Sequence, residues 1–191
     1  LRRLVRDAQG GKPKPFYTVI EKILCEHEHL PRLAGIAGTT GYEWMNVITH
    51  VLVDAKGLEA LDETWRQISN LPPRLAPYLM EGKRRVLETL LTSEFTVLWR
   101  LLARIASGHY STRDFSADSL RQALELYVLH FPVYRTYLTT AGPTMHDRTL
   151  IEETIARARR DWFAADEGIF DFLRDALTMD LLKPGRPPHS T

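Results

Sequence analysis

Hydrophobic positions change period along this chain and mark its elements. Residues 1, 4, 5 and 8 follow the i, i+3, i+4, i+7 spacing of two helical turns, and Gly10-Gly11 closes that segment. Phe16-Tyr17-Thr18-Val19-Ile20 then sets five β-branched or aromatic residues in a row, which predicts a strand buried on both faces. A lone strand is not stable, so its neighbours are expected to lie largely outside this chain. The order helix, short loop, buried strand is the rhythm of an α/β barrel or a doubly wound sheet.

From there the period is helical. After a polar loop over 25–41 holding Pro31, Gly35, Gly38 and Gly41, apolar residues at 44, 47, 48, 51 and 52 predict a helix over 41–53, broken by Asp54-Ala55-Lys56-Gly57. A second helix is predicted over 58–68. The longest, over 78–107, follows Pro72, Pro73 and Pro77, takes 87, 90, 91, 98, 101, 102 and 105 as its inner stripe, and stops at Gly108. Ser116 is the expected N-cap of a helix to 130, with Leu120, Ala123, Leu124, Tyr127 and Val128 facing inward. Residues 131–138 are strand-like by composition, with Pro132 near the start. Asp147 is expected to cap a helix to 163, and Asp166 to begin a last one to 179. The fold class is therefore mainly α with one or two strands, and no internal repeat of fixed period is visible.

Composition narrows the possible partners. The 191 residues carry 25 Lys+Arg against 24 Asp+Glu, so no surplus positive field exists to grip a nucleic acid or an acidic membrane. The most apolar stretch, 95–106, is interrupted by Arg100 and Arg104 and predicts no membrane span. The single cysteine, Cys25, allows neither an internal disulfide nor a four-thiolate zinc site, and points to a reducing, cytoplasmic compartment. The chain opens Leu1-Arg2-Arg3-Leu4 with no initiating Met and no apolar signal-peptide core, and 183–191 is rich in turn residues like a linker. Both ends read as truncation boundaries.

The leading candidate for chemistry is Glu21, directly after the apolar strand, where parallel α/β folds gather reactive groups. Cys25-Glu26-His27-Glu28-His29 is dense in ligand-type residues, but its spacing fits neither a two-His helical pair nor a zinc loop, so no metal is expected. Gly38-Thr39-Thr40-Gly41-Tyr42 lacks the lysine and spacing of a P-loop and reads as a turn ahead of a helix. Glu94 falls on the apolar stripe of the long helix, which predicts a buried carboxylate paired with an arginine such as Arg84. Lys83-Arg84-Arg85 is expected to be a solvated or ion-paired face.

Several of these stretches together resemble one enzyme family. Phe16-Tyr17-Thr18-Val19-Ile20-Glu21-Lys22-Ile23-Leu24, then Gly38-Thr39-Thr40-Gly41-Tyr42 with Asn46 and Asp54, and Phe131-Pro132-Val133-Tyr134-Arg135-Thr136-Tyr137 are similar to segments of the malto-oligosyltrehalose synthases. These are α-amylase-superfamily enzymes, also termed (1→4)-α-D-glucan 1-α-D-glucosylmutases. The resemblance extends over nearly the whole chain, including Glu81-Gly82-Lys83-Arg84-Arg85, Ser93-Glu94 and Thr112-Arg113-Asp114-Phe115.

The resemblance implies a partial (β/α)8 barrel from the fifth strand onward with a large helical insertion. It divides the chain into a barrel segment (1–57), a helical insertion (58–130), a barrel strand and helices (131–182) and a linker-like tail (183–191). It implies that Glu21 is the general acid/base of a retaining transglucosylation, with the nucleophilic aspartate upstream of Leu1 and the third acid downstream of Thr191. As a general acid Glu21 must hold a proton, through burial or a neighbouring carboxylate, and strand alternation would point it inward while Lys22 turns outward. His146-Asp147 comes too early to supply the third acid, which leaves Asp147 as an N-cap. Tyr42, Tyr134, Arg135 and Tyr137 become candidates to contact the sugar. The implied substrate is a malto-oligosaccharide or α-glucan chain end, with no cofactor. The remainder of the parent polypeptide is then an obligate partner, and the isolated chain is expected to be inactive. An α-amylase-type hydrolase fragment would share Glu21, and a helical interaction module without catalysis would leave it structural.

Overall fold

The computed structural model describes residues 2–11, 16–25, 28–30, 33–71, 75–164, 166 and 168–183. Among them the chain is mainly helical, with eight α-helices and two short strands, in two units, Leu1–Pro73 and Arg74–Thr191. The linker-like tail beyond Lys183 lies outside the described residues.

In the first unit, α1 (Arg2–Ala8) ends where Gly10 and Gly11 take φ of 68° and 77°, left-handed values that cost glycine no Cβ clash. β1 (Val19–Ile20) pairs in parallel with β2 (Gly38–Thr39), Val19 opposite Gly38 and Ile20 opposite Thr39. The Ala37 amide extends the ladder to the Thr18 carbonyl at 2.8 Å. β2 is a correction to the reading of 38–42 as a turn alone. The expected burial of 16–20 on both faces is also corrected, since Phe16, Tyr17 and Val19 are exposed, Tyr17 at 79%. A sheet of two strands supplies no second layer to cover them.

Helices α2 (Tyr42–Val51) and α3 (Ala55–Ser69) follow. Asp54 is the N-cap of α3, accepting the Gly57 amide at 2.6 Å, and Asn70 closes it in the left-handed region. Leu58, Leu61, Trp65 and Ile68 recur at i, i+3, i+7 and i+10, one apolar face of α3, yet all four are exposed.

The second unit contains every fully buried hydrophobic side chain among the described residues. Its helices are α4 (Leu75–Thr89), α5 (Thr92–Ser107), α6 (Ala117–His130), α7 (Met145–Arg160) and α8 (Gly168–Leu177), followed by a 310 turn, Asp180–Leu182. α6 packs against α4, α5, α7 and α8. The reason is its sequence: Leu120, Ala123, Leu124 and Tyr127 form one buried stripe at helical spacing, and Ser116 caps the start by accepting the Ser119 amide at 3.0 Å. Ile151, Ile155 and Ala158 of α7 and Ile169, Phe170, Phe172 and Leu173 of α8 close the core. Trp162 meets Phe170 edge to face at 5.4 Å.

Four expectations are corrected here. The helix over 78–107 is two helices, broken where the Leu90 and Leu91 amides both turn back to the Val86 carbonyl. The break resets the phase: Phe95, Leu102 and Ala106 become the buried positions of α5, and Leu98, Leu101 and Ile105 face out. Glu94 is consequently exposed, and Arg84 pairs with Glu125 at 3.4 Å and Glu81 at 3.9 Å. Residues 131–138 form no strand, because no partner strand lies beside them among the described residues of their unit, and a bridge between Thr139 and Gly142 follows them. Asp147 is not the N-cap of α7. Thr144 is, and Asp147 sits three residues in as the reciprocal member of a capping box, accepting the Thr144 amide while Thr144 accepts its own.

Lys83, read as part of a solvated or ion-paired face, is half-buried and donates to the Leu129 and Phe131 carbonyls at 3.0 and 2.7 Å. It thereby satisfies carbonyls at the C-terminal end of α6. The last helix is described from Gly168, two residues beyond the expected start at Asp166, whose carboxylate accepts the Gly168 amide at 3.0 Å.

Candidate functional site

Glu21 stands one residue beyond the last paired position of β1, at the C-terminal edge of the parallel pair. Side-chain alternation separates it from Lys22, but with inside and outside exchanged relative to expectation. Glu21 is exposed, whereas the Lys22 ammonium is withdrawn from solvent against Glu28 at 2.9 Å. The correction has a local cause, since the loop after β1 folds back on itself. Glu28 Oε2 accepts the Cys25 amide at 3.0 Å, and the Cys25 carbonyl accepts the Glu28 amide at 2.9 Å. Burial opposes the Glu28 charge, but the Cys25 amide and the Lys22 ammonium outweigh it and hold the carboxyl below its ordinary value.

The same edge carries a second carboxylate that sequence reasoning passed over. Glu43 lies in the first turn of α2, four residues beyond the last paired position of β2. The Thr39 hydroxyl donates to its Oε1 and accepts the Gly41 amide at 3.1 Å, so one threonine ties the strand end, the turn and the helix start together. That hydroxyl lowers the Glu43 pKa below the ordinary glutamate value. Gly41 takes φ of 94°, a left-handed turn that a residue with a Cβ would adopt only under strain. The one signal in sequence was the Thr39/Glu43 spacing across a Gly-containing turn, which is weak by itself.

Tyr42, between Gly41 and Glu43, is half-buried at this edge. The other three candidates for sugar contact belong to the second unit. Tyr134 and Tyr137 are exposed, and the Arg135 guanidinium lies over the Tyr137 ring at 4.7 Å. Tyr134 lines a groove of about 670 Å³ with Tyr78, Tyr127 and Phe131. The structure thus brings Glu21 and Tyr42 to one sheet edge, and Tyr134, Arg135 and Tyr137 to a separate segment. Among the described residues no three His, Cys, Asp or Glu side chains converge as metal ligands, while Glu26 and His27 of the 25–29 stretch lie outside them. No helix among the described residues is long and apolar enough to cross a membrane. Comparison of the chain with protein-family models, curated proteins and solved structures finds no match in any of the three.

Proposed function

We propose that this chain is the part of an intramolecular transglucosylase that carries its general acid/base, Glu21, within a partial (β/α)8 barrel. The observation carrying the reading is the parallel pairing of β1 with β2, with Glu21 immediately beyond β1. The pair has a common C-terminal edge, and in parallel α/β enzymes that edge is where the chemistry is done. The uncovered apolar side chains of Phe16, Tyr17 and Val19 fit a sheet continued by further strands of a parent polypeptide.

In that enzyme a carboxylate from another segment attacks C1 of the penultimate glucosyl unit, and Glu21 gives its proton to the departing glycosidic oxygen. The freed reducing-end glucose turns its anomeric hydroxyl toward C1. Glu21 takes that proton as the hydroxyl displaces the carboxylate, and the α-1,4 link becomes α,α-1,1. No water is consumed, so the product carries a trehalose end and no reducing group. The substrate is a malto-oligosaccharide or α-glucan chain end, no cofactor takes part, and the work is that of a cytoplasmic isomerase of trehalose biosynthesis. The chain alone is inactive because it supplies one of three carboxylates.

One observation favours a second reading, a helical interaction module: the second unit encloses a core of its own. The deciding experiment follows reducing ends and free glucose together, using the complete polypeptide that contains this segment and its Glu21→Gln variant. Loss of reducing ends without glucose, abolished in the variant, is the expected result. Release of glucose or maltose instead assigns an α-amylase-type hydrolase. Absence of any Glu21-dependent turnover leaves the interaction module.

A further inference from the structure

Gly82 lies in the middle of α4, where a glycine costs helix stability relative to alanine. Nothing in the fold asks for it. Its backbone is not left-handed, and a Cβ there would meet no atom beyond the helix's own backbone within 4 Å among the described residues. The glycine bares the wall of the groove of about 670 Å³ that α4 forms with the end of α6 and residues 131–134. That groove is apolar, and Lys83 on its wall directs its ammonium to the Leu129 and Phe131 carbonyls. A polar or charged ligand would find few partners in it. A bare stretch of helix backbone beside an apolar groove suits the close approach of another helix.

The side chains around Gly82 say which helix. Leu75 and Leu79 precede it by seven and three residues, Val86 and Leu90 follow it by four and eight, and all of them are exposed. At about 100° per residue these leucines and the valine fall on one side of the helix line through Gly82, and Tyr78 and Arg85 on the other. A two-fold axis through Gly82 sets α4 against an antiparallel copy of itself, with Leu79 opposite Val86, Leu75 opposite Leu90 and Tyr78 opposite Arg85. Each contact then occurs twice, the condition for an isologous interface. Arg85 is exposed and pairs with no acid among the described residues, and the Tyr78 ring of a second copy would offer it a cation–π contact.

We infer that two copies of this chain associate through α4, crossing at Gly82 about a two-fold axis and closing their apolar grooves against each other. The occupant is a second copy because the apolar positions repeat on both sides of Gly82, a symmetry that a foreign helix would not require. The inference goes beyond the enzymatic reading and needs neither Glu21 nor a substrate.

Sedimentation equilibrium of the full chain is expected to give twice the protomer mass, falling to one protomer on dilution. Gly82→Gln puts a good helix former where the single chain has room for it. It is expected to raise the melting temperature of the dilute protein while weakening self-association about ten-fold or more. Disulfides read the crossing itself, in a Cys25→Ser background. Chains carrying Leu79→Cys and chains carrying Val86→Cys should cross-link to one another when mixed, far more than either does with itself. Glu88→Cys, on the far side of α4 from Gly82, should not cross-link. A monomeric wild type, an association that Gly82→Gln leaves unchanged, or cross-linking without regard to position would each overturn the inference. A monomer whose complete parent polypeptide loses stability with Gly82→Gln would assign the groove to another segment of that polypeptide, which overturns it as well.

Discussion

Arg148 reaches Asp180 with both terminal nitrogens, at 2.8 and 3.0 Å, and Lys183 adds a third contact at 2.6 Å. The carboxylate is almost fully withdrawn from solvent, and the Arg148 hydrogen bonds hold its pKa well below the ordinary aspartate value of 3.8. A depressed carboxyl contributes stability that is complete above its unfolded-state value and is lost as pH falls toward the folded one. Acid unfolding should therefore begin to draw on this pair near pH 4 and continue below it. Asp180→Asn is expected to cost about 2 kcal/mol at pH 7, less than for a fully buried pair because Arg148 keeps some solvent. Its urea midpoint should fall less steeply than wild type between pH 5 and pH 3, and parallel slopes would exclude the pair as the source. At this scale the place of Glu21 just beyond β1 was legible in the sequence, because an acid directly after a run of strand formers stands at the strand's end, whereas its exposure was not. Glu43 was not, because an acid opening a helix is ordinary and only the Thr39 bond distinguishes it.

Among elements, α6 was readable from residue pattern alone, since Ser116 caps it and a single apolar stripe runs its length. The break between α4 and α5 was hidden for a physical reason. No Gly or Pro marks it, and α5 carries apolar side chains on both its buried and its exposed faces, so one continuous stripe could be drawn through residues that end up outside. β2 was hidden because Gly38-Thr39 has turn composition and becomes a strand only by pairing with β1. Residues 131–138 show the converse, strand composition with no neighbouring strand among the described residues. The start of α7 was displaced because aspartate is favoured both as a cap and three residues beyond one. Thr144→Ala removes the hydroxyl that accepts the Asp147 amide and is expected to destabilise by about 1 kcal/mol. A denaturant midpoint equal to wild type would show that the box carries no stability.

Across the whole molecule, buried apolar side chains among the described residues all lie between Leu87 and Phe172 or Leu173, within the second unit. Residues 74–191 expressed alone are therefore expected to melt in a single cooperative transition, coincident by circular dichroism and fluorescence. Residues 1–73 alone are expected to melt without a sharp transition and to bind a hydrophobic dye. A cooperative melt of that piece would show that it holds a core after all. Replacing Leu61 and Trp65 together by Glu should lower dye binding by the full chain without lowering its melting temperature, because neither side chain is buried.

The position of α6 has a consequence for how the second unit is made. It packs against four other helices, two that precede it in the chain and two that follow. On a ribosome, α4 and α5 emerge before α6, so Phe95, Leu102 and Ala106 lack its cover until residue 130 has cleared the exit tunnel. The nascent chain passes through a stage in which these apolar side chains lack the helix that buries them, and the length of that stage is set by translation speed through residues 108–130. Slow codons placed there would prolong it, and rapid ones would shorten the time in which a chaperone is needed.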